Sequence, residues 1–119
     1  YTQADLNWMY KKSRSSVEMS DKSIRPEIGG EEISVDEYDE IFIGFPIWWY
    51  VAPTIINTFL EKYDFSGKKI ILFATSGGSS FGNTVKELQP SAPKAIIVEG
   101  KVLNHMSRQD IVNWVKSVE

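Results

Sequence analysis

No cysteine occurs in the chain, which excludes disulfides, thiolate metal sites and thiol nucleophiles. Histidine is nearly absent as well. The single copy, His105, has no serine or aspartate placed to complete a triad with it, and we assign it no role. There is no basic block, and the net charge is −3, which argues against nucleic acid or an anionic membrane as the main partner. No apolar run approaches the ~20 residues of a membrane span. No signal peptide is visible, and we expect a cytoplasmic location. P-loop and GxGxxG patterns are missing, so neither phosphate-binding signature applies. A nucleophile elbow of G-x-S-x-G form is also missing, and a hydrolase is set aside although Ser76 and Ser79 lie in an open loop.

What remains is an ordinary globular composition. The chain has 119 residues, 42% hydrophobic and 24% charged, enough for one domain with a core but not two. We read a single domain over 1–119, with 1–40 as a polar insert and acidic connection and 41–119 as three βα units.

The chain is organised around residues 40–53. Ile41 to Phe45 is a short apolar run rich in β-branched and aromatic residues and closed by Pro46, which predicts a strand buried on both faces. An apolar loop follows, with Trp48, Trp49 and Tyr50 in succession. Loops normally carry polar residues over the surface, so an aromatic one has to be covered by something. In open α/β sheets ligands sit at that end of the strands, and we expect a flat aromatic cofactor against this loop.

Upstream, Asp5 is placed to cap a short helix over Leu6 to Lys12, and Ser13 to Ser23, with five serines, reads as a loop. Trp8 is out of place in so polar a segment. Packing against the domain edge is the plainer reading, and a lid over the aromatic loop is the functional one. Glu31 to Glu40 holds six carboxylates in ten positions. They are consecutive and lead into a strand, so a solvated connection anchored by Ile33, Val35 and Tyr38 is preferred to a metal site.

Downstream, Pro53 suits a first helical position, and Ile55, Ile56, Phe59, Leu60 and Tyr63 recur at helical spacing. Ile70 to Ala74 predicts a second strand. Thr75 to Gly82 is a loop of small residues, and a helix over Asn83 to Gln89 ends at Pro90 and Pro93. Ala95 to Val98 predicts a third strand. Ser107 caps a last helix with Asp110 three residues on, and Ile111, Val112, Trp114, Val115 and Val118 form its apolar stripe. Strand and helix alternate three times, which predicts parallel strands.

Two loops thus share one rim. Pro46 to Ala52 offers flat aromatic faces. Thr75 to Gly82 offers hydroxyls and backbone N–H groups, with Gly77 and Gly78 letting the chain approach a ligand closely. A turn alone would account for the glycines; paired with the aromatic loop, they favour a heterocycle whose edge meets the amides and whose face lies on a tryptophan. Adjacent tryptophans commonly point one inward and one outward, so only one is expected to touch the ring.

Phe45-Pro46-Ile47-Trp48-Trp49 with Ala52-Pro53, Tyr63-Asp64-Phe65-Ser66-Gly67-Lys68, Thr75-Ser76-Gly77-Gly78-Ser79 and Ser13-Arg14-Ser15-Ser16 together resemble the short flavodoxin-like family over nearly the whole chain. The resemblance implies a doubly wound parallel sheet of five strands in order 2-1-3-4-5 with helices on both faces. It implies non-covalent FMN, with Pro46, Ile47, Trp48, Trp49 and Tyr50 along the isoalloxazine ring and Thr75, Ser76, Gly77, Gly78 and Ser79 supplying hydrogen bonds to its pyrimidine edge. The flavin would carry the redox step, and apolar surroundings with nearby carboxylates would lower its potential.

The family's first strand, phosphate-wrapping loop, helix and second strand have no counterpart here. The chain opens on Tyr1, and we expect about 40 residues, the size of a βαβ unit, to lie outside it or to come from another polypeptide. Strand 41–45 would then be an exposed apolar edge that pairs in a dimer or with a complementing fragment. The resemblance implies either an electron carrier serving a redox partner protein or an oxidoreductase passing electrons from NAD(P)H to a small, quinone-like acceptor. The alternative is a flavodoxin-like fold without flavin, kept as a protein-interaction module.

Overall fold

A computed structural model describes all 119 residues. It contains three parallel strands in sequential order: β1 (Glu40–Pro46), β2 (Lys69–Thr75) and β3 (Ile96–Val102). Helix α1 (Arg14–Met19) precedes the sheet, α2 (Thr54–Lys62) joins β1 to β2, α3 (Thr84–Leu88) lies between β2 and β3, and α4 (Arg108–Val118) closes the chain. The strand–helix alternation predicted from sequence is therefore present, and all pairing is parallel.

The core lies on one face of the sheet. Ile43, Phe45, Ile70, Leu72, Ala74 and Ile97 point to it and meet Leu60 of α2, Leu88 of α3, Phe65 and Phe81. The alternation of a pleated strand sends Phe42, Gly44 and Gly100 to the other face, where Trp114 of α4 packs edge-on against Phe42 with ring centroids 6.1 Å apart. Gly100 is required there, because a Cβ would fall 1.9 Å from the Leu72 carbonyl oxygen and 2.7 Å from the Trp114 ring.

Several sequence expectations are corrected. Strand β1 is not buried on both faces: Ile43 and Phe45 are buried, whereas Phe42 is 36% exposed. It is an edge strand with one neighbour, and α4 covers its second face only in part. The helix expected over Leu6 to Lys12 is a series of turns; the Asp5 carboxylate accepts from Thr2 N–H instead of capping a helix. The helix stands at Arg14–Met19, inside the stretch read as a loop, because Ser13 Oγ accepts from Ser16 N–H as an N-cap. Of the three proposed anchors of the acidic connection only Val35 is buried; Ile33 and Tyr38 are exposed. The third strand runs four residues beyond Val98, and Pro90 sits within a 3₁₀ turn, Gln89–Ser91, that follows α3. In α4 only Trp114 of the apolar stripe is buried, and in α2 the buried positions are Thr54, Asn57 and Leu60.

The polar N-terminal forty residues run beside α2 and α3 and are fastened there by side chains. Arg25 pairs with Glu61, Lys22 with Glu87 and Lys62 with Glu32, while Lys68 Nζ donates to the carbonyls of Asp36 and Tyr38. The Arg25 guanidinium hydrogen-bonded to Glu61 holds that carboxyl below its usual range.

Candidate functional site

Parallel pairing in register brings the ends of β1 and β2 level, with Pro46 opposite Thr75. The loops that leave them are therefore neighbours. Ile47 N–H donates to the Thr75 carbonyl at 2.8 Å and fixes their relative height. Above this junction Ile47, Trp48, Trp49 and Tyr50 face Ser76, Gly77, Gly78 and Ser79 across a cleft of about 490 Å³, within the usual range for small-molecule sites. Eight of the ten residues predicted from sequence line it. Pro46 and Thr75 do not; they lie at the strand ends and tie the two loops together.

The aromatic loop is a tight reverse turn. Trp48 N–H donates to Val51 O at 2.9 Å and Val51 N–H to Trp48 O at 3.2 Å. The two central residues both take positive φ, 46° at Trp49 and 73° at Tyr50, the sign pattern of a type I′ turn. That conformation suits Asn-Gly, and bulky residues in it are strained by about 1–2 kcal/mol each. The turn holds its aromatic side chains outward: Trp49 is 44% and Tyr50 70% exposed, whereas Trp48 is half-buried. Trp48 is the inward member of the pair, braced edge-on by Tyr1 with ring centroids 5.2 Å apart. Tyr1 is itself held by the Arg14 guanidinium over its ring and by a hydrogen bond from its hydroxyl to Glu18. Burial and that carboxylate push the phenol well above its ordinary value, so it stays a neutral donor.

The second loop is shaped by local hydrogen bonds. Gly78 N–H donates to Ser76 Oγ at 3.2 Å, and Ser76 N–H donates to the Asn104 side-chain oxygen at 2.7 Å. The glycines divide into two kinds. Gly82 serves the fold: its φ is +53°, and a Cβ there would lie 2.6 Å from the Tyr50 carbonyl oxygen, so it lets the two loops touch. Gly77 and Gly78 have no positive φ, and a Cβ on either would meet nothing within 4 Å. Protein packing does not require glycine at these positions. Both are exposed and line the cleft.

Leu6, Trp8 and Ser15 complete the lining; sequence reasoning missed Leu6 and Ser15 and held a place over the aromatic loop as the functional reading of Trp8. Trp8 gave the only signal, a large apolar side chain in a polar stretch. It is 68% exposed on the rim and does not pack against the domain edge. Asn104 was also missed; it belongs to the loop after β3, and nothing in its spacing pointed toward Ser76. None of the lining side chains carries a formal charge, so the expected carboxylates are not in contact range. No group of three or more acidic or histidine side chains is gathered for a metal.

The lining thus combines flat aromatic faces, three serine hydroxyls and two glycines at which a Cβ would meet no protein atom. Such a donor set fits an uncharged planar heterocycle held by stacking and by hydrogen bonds at one edge, and lacks the charge needed to grip a phosphate.

A model of the family described as Flavodoxin matches residues 1–118. By structure, the chain superimposes on a candidate flavoprotein from Bacteroides uniformis ATCC 8492 with a TM-score of 0.89 at 54% identity, covering 98% of this chain and 74% of that one. A candidate flavoprotein from Bacteroides eggerthii DSM 20697 gives 0.86 at 47% identity, over 99% and 74%. A flavoprotein from Lactobacillus acidophilus NCFM, solved in complex with FMN, gives 0.55 at 25% identity, over 76% and 58%. No curated protein matches the chain.

Proposed function

This chain belongs to the flavodoxin family, and on that premise we propose that it binds FMN in the cleft between the aromatic turn and the Thr75–Ser79 loop and uses it in electron transfer. The observation that carries the reading is the cleft lined together by Ile47, Trp48, Trp49 and Tyr50 and by Ser76, Gly77, Gly78 and Ser79, with no protein atom within 4 Å of a Cβ placed on either glycine. When bound, FMN supplies one- and two-electron chemistry. The protein's part is to bind and orient. The indole of Trp48, fixed by Tyr1, gives a rigid stacking face, and Ser76, Gly77, Gly78 and Ser79 meet the polar edge. Trp8 and Tyr50, both largely exposed, flank the opening and limit access of water and of a reacting partner.

Titration of the purified protein with FMN, followed by quenching of flavin fluorescence, tests this. Saturable binding is expected, weakened about tenfold by Trp48→Ala, in line with the ~1–3 kcal/mol of an aromatic stacking contact. A colourless preparation that cannot be reconstituted would favour the second reading, a flavin-free interaction module, to which the exposed aromatic rim is also suited.

The finer assignment extends to partners. Electrons pass between the bound flavin and either a redox protein or a small acceptor, with NAD(P)H as donor in the second case. Turnover of NAD(P)H by the flavin-loaded protein with a quinone supports the enzyme, and none with any acceptor supports the carrier. The outer edge of β1 is proposed to pair with a further strand, from a second copy or a complementing polypeptide. A mass by light scattering that stays monomeric at every concentration, with no complementing partner bound, would contradict that pairing.

A further inference from the structure

A second cleft, of about 170 Å³, lies between the start of α2 and α3, on the side of the aromatic turn away from the glycine loop. One of its lining residues, Thr54, carries the one buried side-chain polar atom in the molecule without a hydrogen-bond partner, Oγ1; Thr54 is 4% exposed. Its polar neighbours are satisfied. Asn57 Nδ2 donates to Glu87 O and Ser91 Oγ, and Thr84 Oγ1 donates to Phe81 O. A buried hydroxyl without a partner costs free energy, and native structures keep few of them. Thr54 is also the first residue of the nine-residue α2, whose N-cap is Pro53 and which no side chain caps. The positive end of that helix is therefore unneutralised at the cleft.

Arg25 lines the same cleft. Its Nε is held on Glu61 at 3.0 Å and its Nη1 on the carbonyls of Lys22 and Ile24, while Nη2 makes no hydrogen bond. Lys22 adds a second cation, paired with Glu87, which also lines the cleft. The remaining wall is apolar, from Met19, Val51 and Leu88.

We propose that this cleft is a binding site for a small monocarboxylic acid with an apolar body. The carboxylate takes the free Arg25 Nη2 as a donor and, once rotation of the Thr54 side chain turns its occluded hydroxyl outward, Thr54 Oγ1 as a second; the body lies on Met19, Val51 and Leu88. A cavity of about 150 Å³ admits one benzene ring, so the size fits a benzoate-like acid. The site is distinct from the flavin cleft, although Trp49 lines both.

Isothermal titration with sodium benzoate tests the proposal, with benzamide as the neutral isostere, on the wild type with and without saturating FMN. Benzoate is expected to bind in both states and benzamide more weakly. Thr54→Val keeps the shape and removes only the unpartnered hydroxyl; it is expected to melt at or above the wild-type temperature while weakening benzoate about tenfold. Arg25→Lys, which keeps the charge but loses the fork, is expected to weaken it as well. Absence of benzoate binding by the wild type, equal binding of benzamide, unchanged affinity in Thr54→Val or displacement by FMN would each overturn the assignment. Failure of FMN binding alone would bear on the flavin reading and leave this one standing.

Discussion

Replacing Gly77 or Gly78 by alanine separates what the fold needs from what a ligand needs. Neither residue has a positive φ, and a Cβ on either meets nothing within 4 Å. The native backbone therefore accepts alanine without strain. The unfolded chain loses freedom, so apo stability should rise by about 0.4–1 kcal/mol, or roughly 2–4 °C in melting temperature for a chain of this size. If the polar edge of the flavin meets the amides of these residues, the same methyl stands where the ligand must approach. Overfilling a close-packed contact costs about 1–3 kcal/mol, which is roughly a 5- to 150-fold loss of FMN affinity. The two effects have opposite signs, and a general loosening of the fold cannot produce that pair. Apo melts and FMN titrations on both variants measure them, and the melts must be run without flavin because ligand binding itself raises the transition. Unchanged affinity in both variants, with stability unchanged or raised, would refute the reasoning: the glycines would then be turn residues only.

Glycines that serve the fold should behave in the opposite way. Gly82→Ala, with a positive φ and a Cβ 2.6 Å from the Tyr50 carbonyl oxygen, should lower apo stability by about 1–3 kcal/mol and weaken FMN through displacement of the turn; thermal melts read the first effect. Gly100→Ala collides with the backbone of β2 and should unfold most of the protein at 25 °C, seen as loss of the near-ultraviolet circular dichroism of Trp114. Asn104→Ala removes the acceptor of Ser76 N–H; a weakening of FMN by roughly threefold to tenfold is expected, since a hydrogen bond contributes about 0.5–1.5 kcal/mol, with little change in melting temperature. Glu61 sits below its ordinary value of 4.5 because Arg25 hydrogen-bonds its ionised form. The resulting stability is present above that value and is lost as pH falls through the lowered one; Arg25→Met should flatten this part of the acid limb in a pH series of melts.

Where the sequence carried a physical rule in short range, the structure follows it. The apolar run at Ile41 to Phe45, the run at Ile70 to Ala74 and the Ser107 cap each encode their element locally, and the alternation of strand and helix then fixes parallel pairing. The rim follows from that: parallel strands in register put Ile47–Tyr50 and Ser76–Ser79 side by side, so eight of the ten residues expected from sequence line one cleft. What escaped depends on tertiary placement. Leu6 reaches the cleft from a segment of turns with no periodicity, and Ser15 reaches it from α1. Ser13 caps α1 through a hydroxyl that reads equally well as a loop residue. The burial of Thr54 and Asn57, rather than Ile55 and Ile56, reflects how the start of α2 faces α3 and the N-terminal segment, which helical spacing alone does not specify. The exposure of Phe42 is not legible either, since an apolar run says nothing about which face of an edge strand a helix covers.

The most direct test of the account is a crystal structure of the protein loaded with FMN. The isoalloxazine ring is expected to lie with one face on Trp48 and its polar edge within about 3.2 Å of the amides of the Ser76–Ser79 loop, the outer limit of a good N–H···O bond. A ring bound elsewhere, or one lying in the cleft but out of hydrogen-bond reach of Gly77 and Gly78, would contradict it.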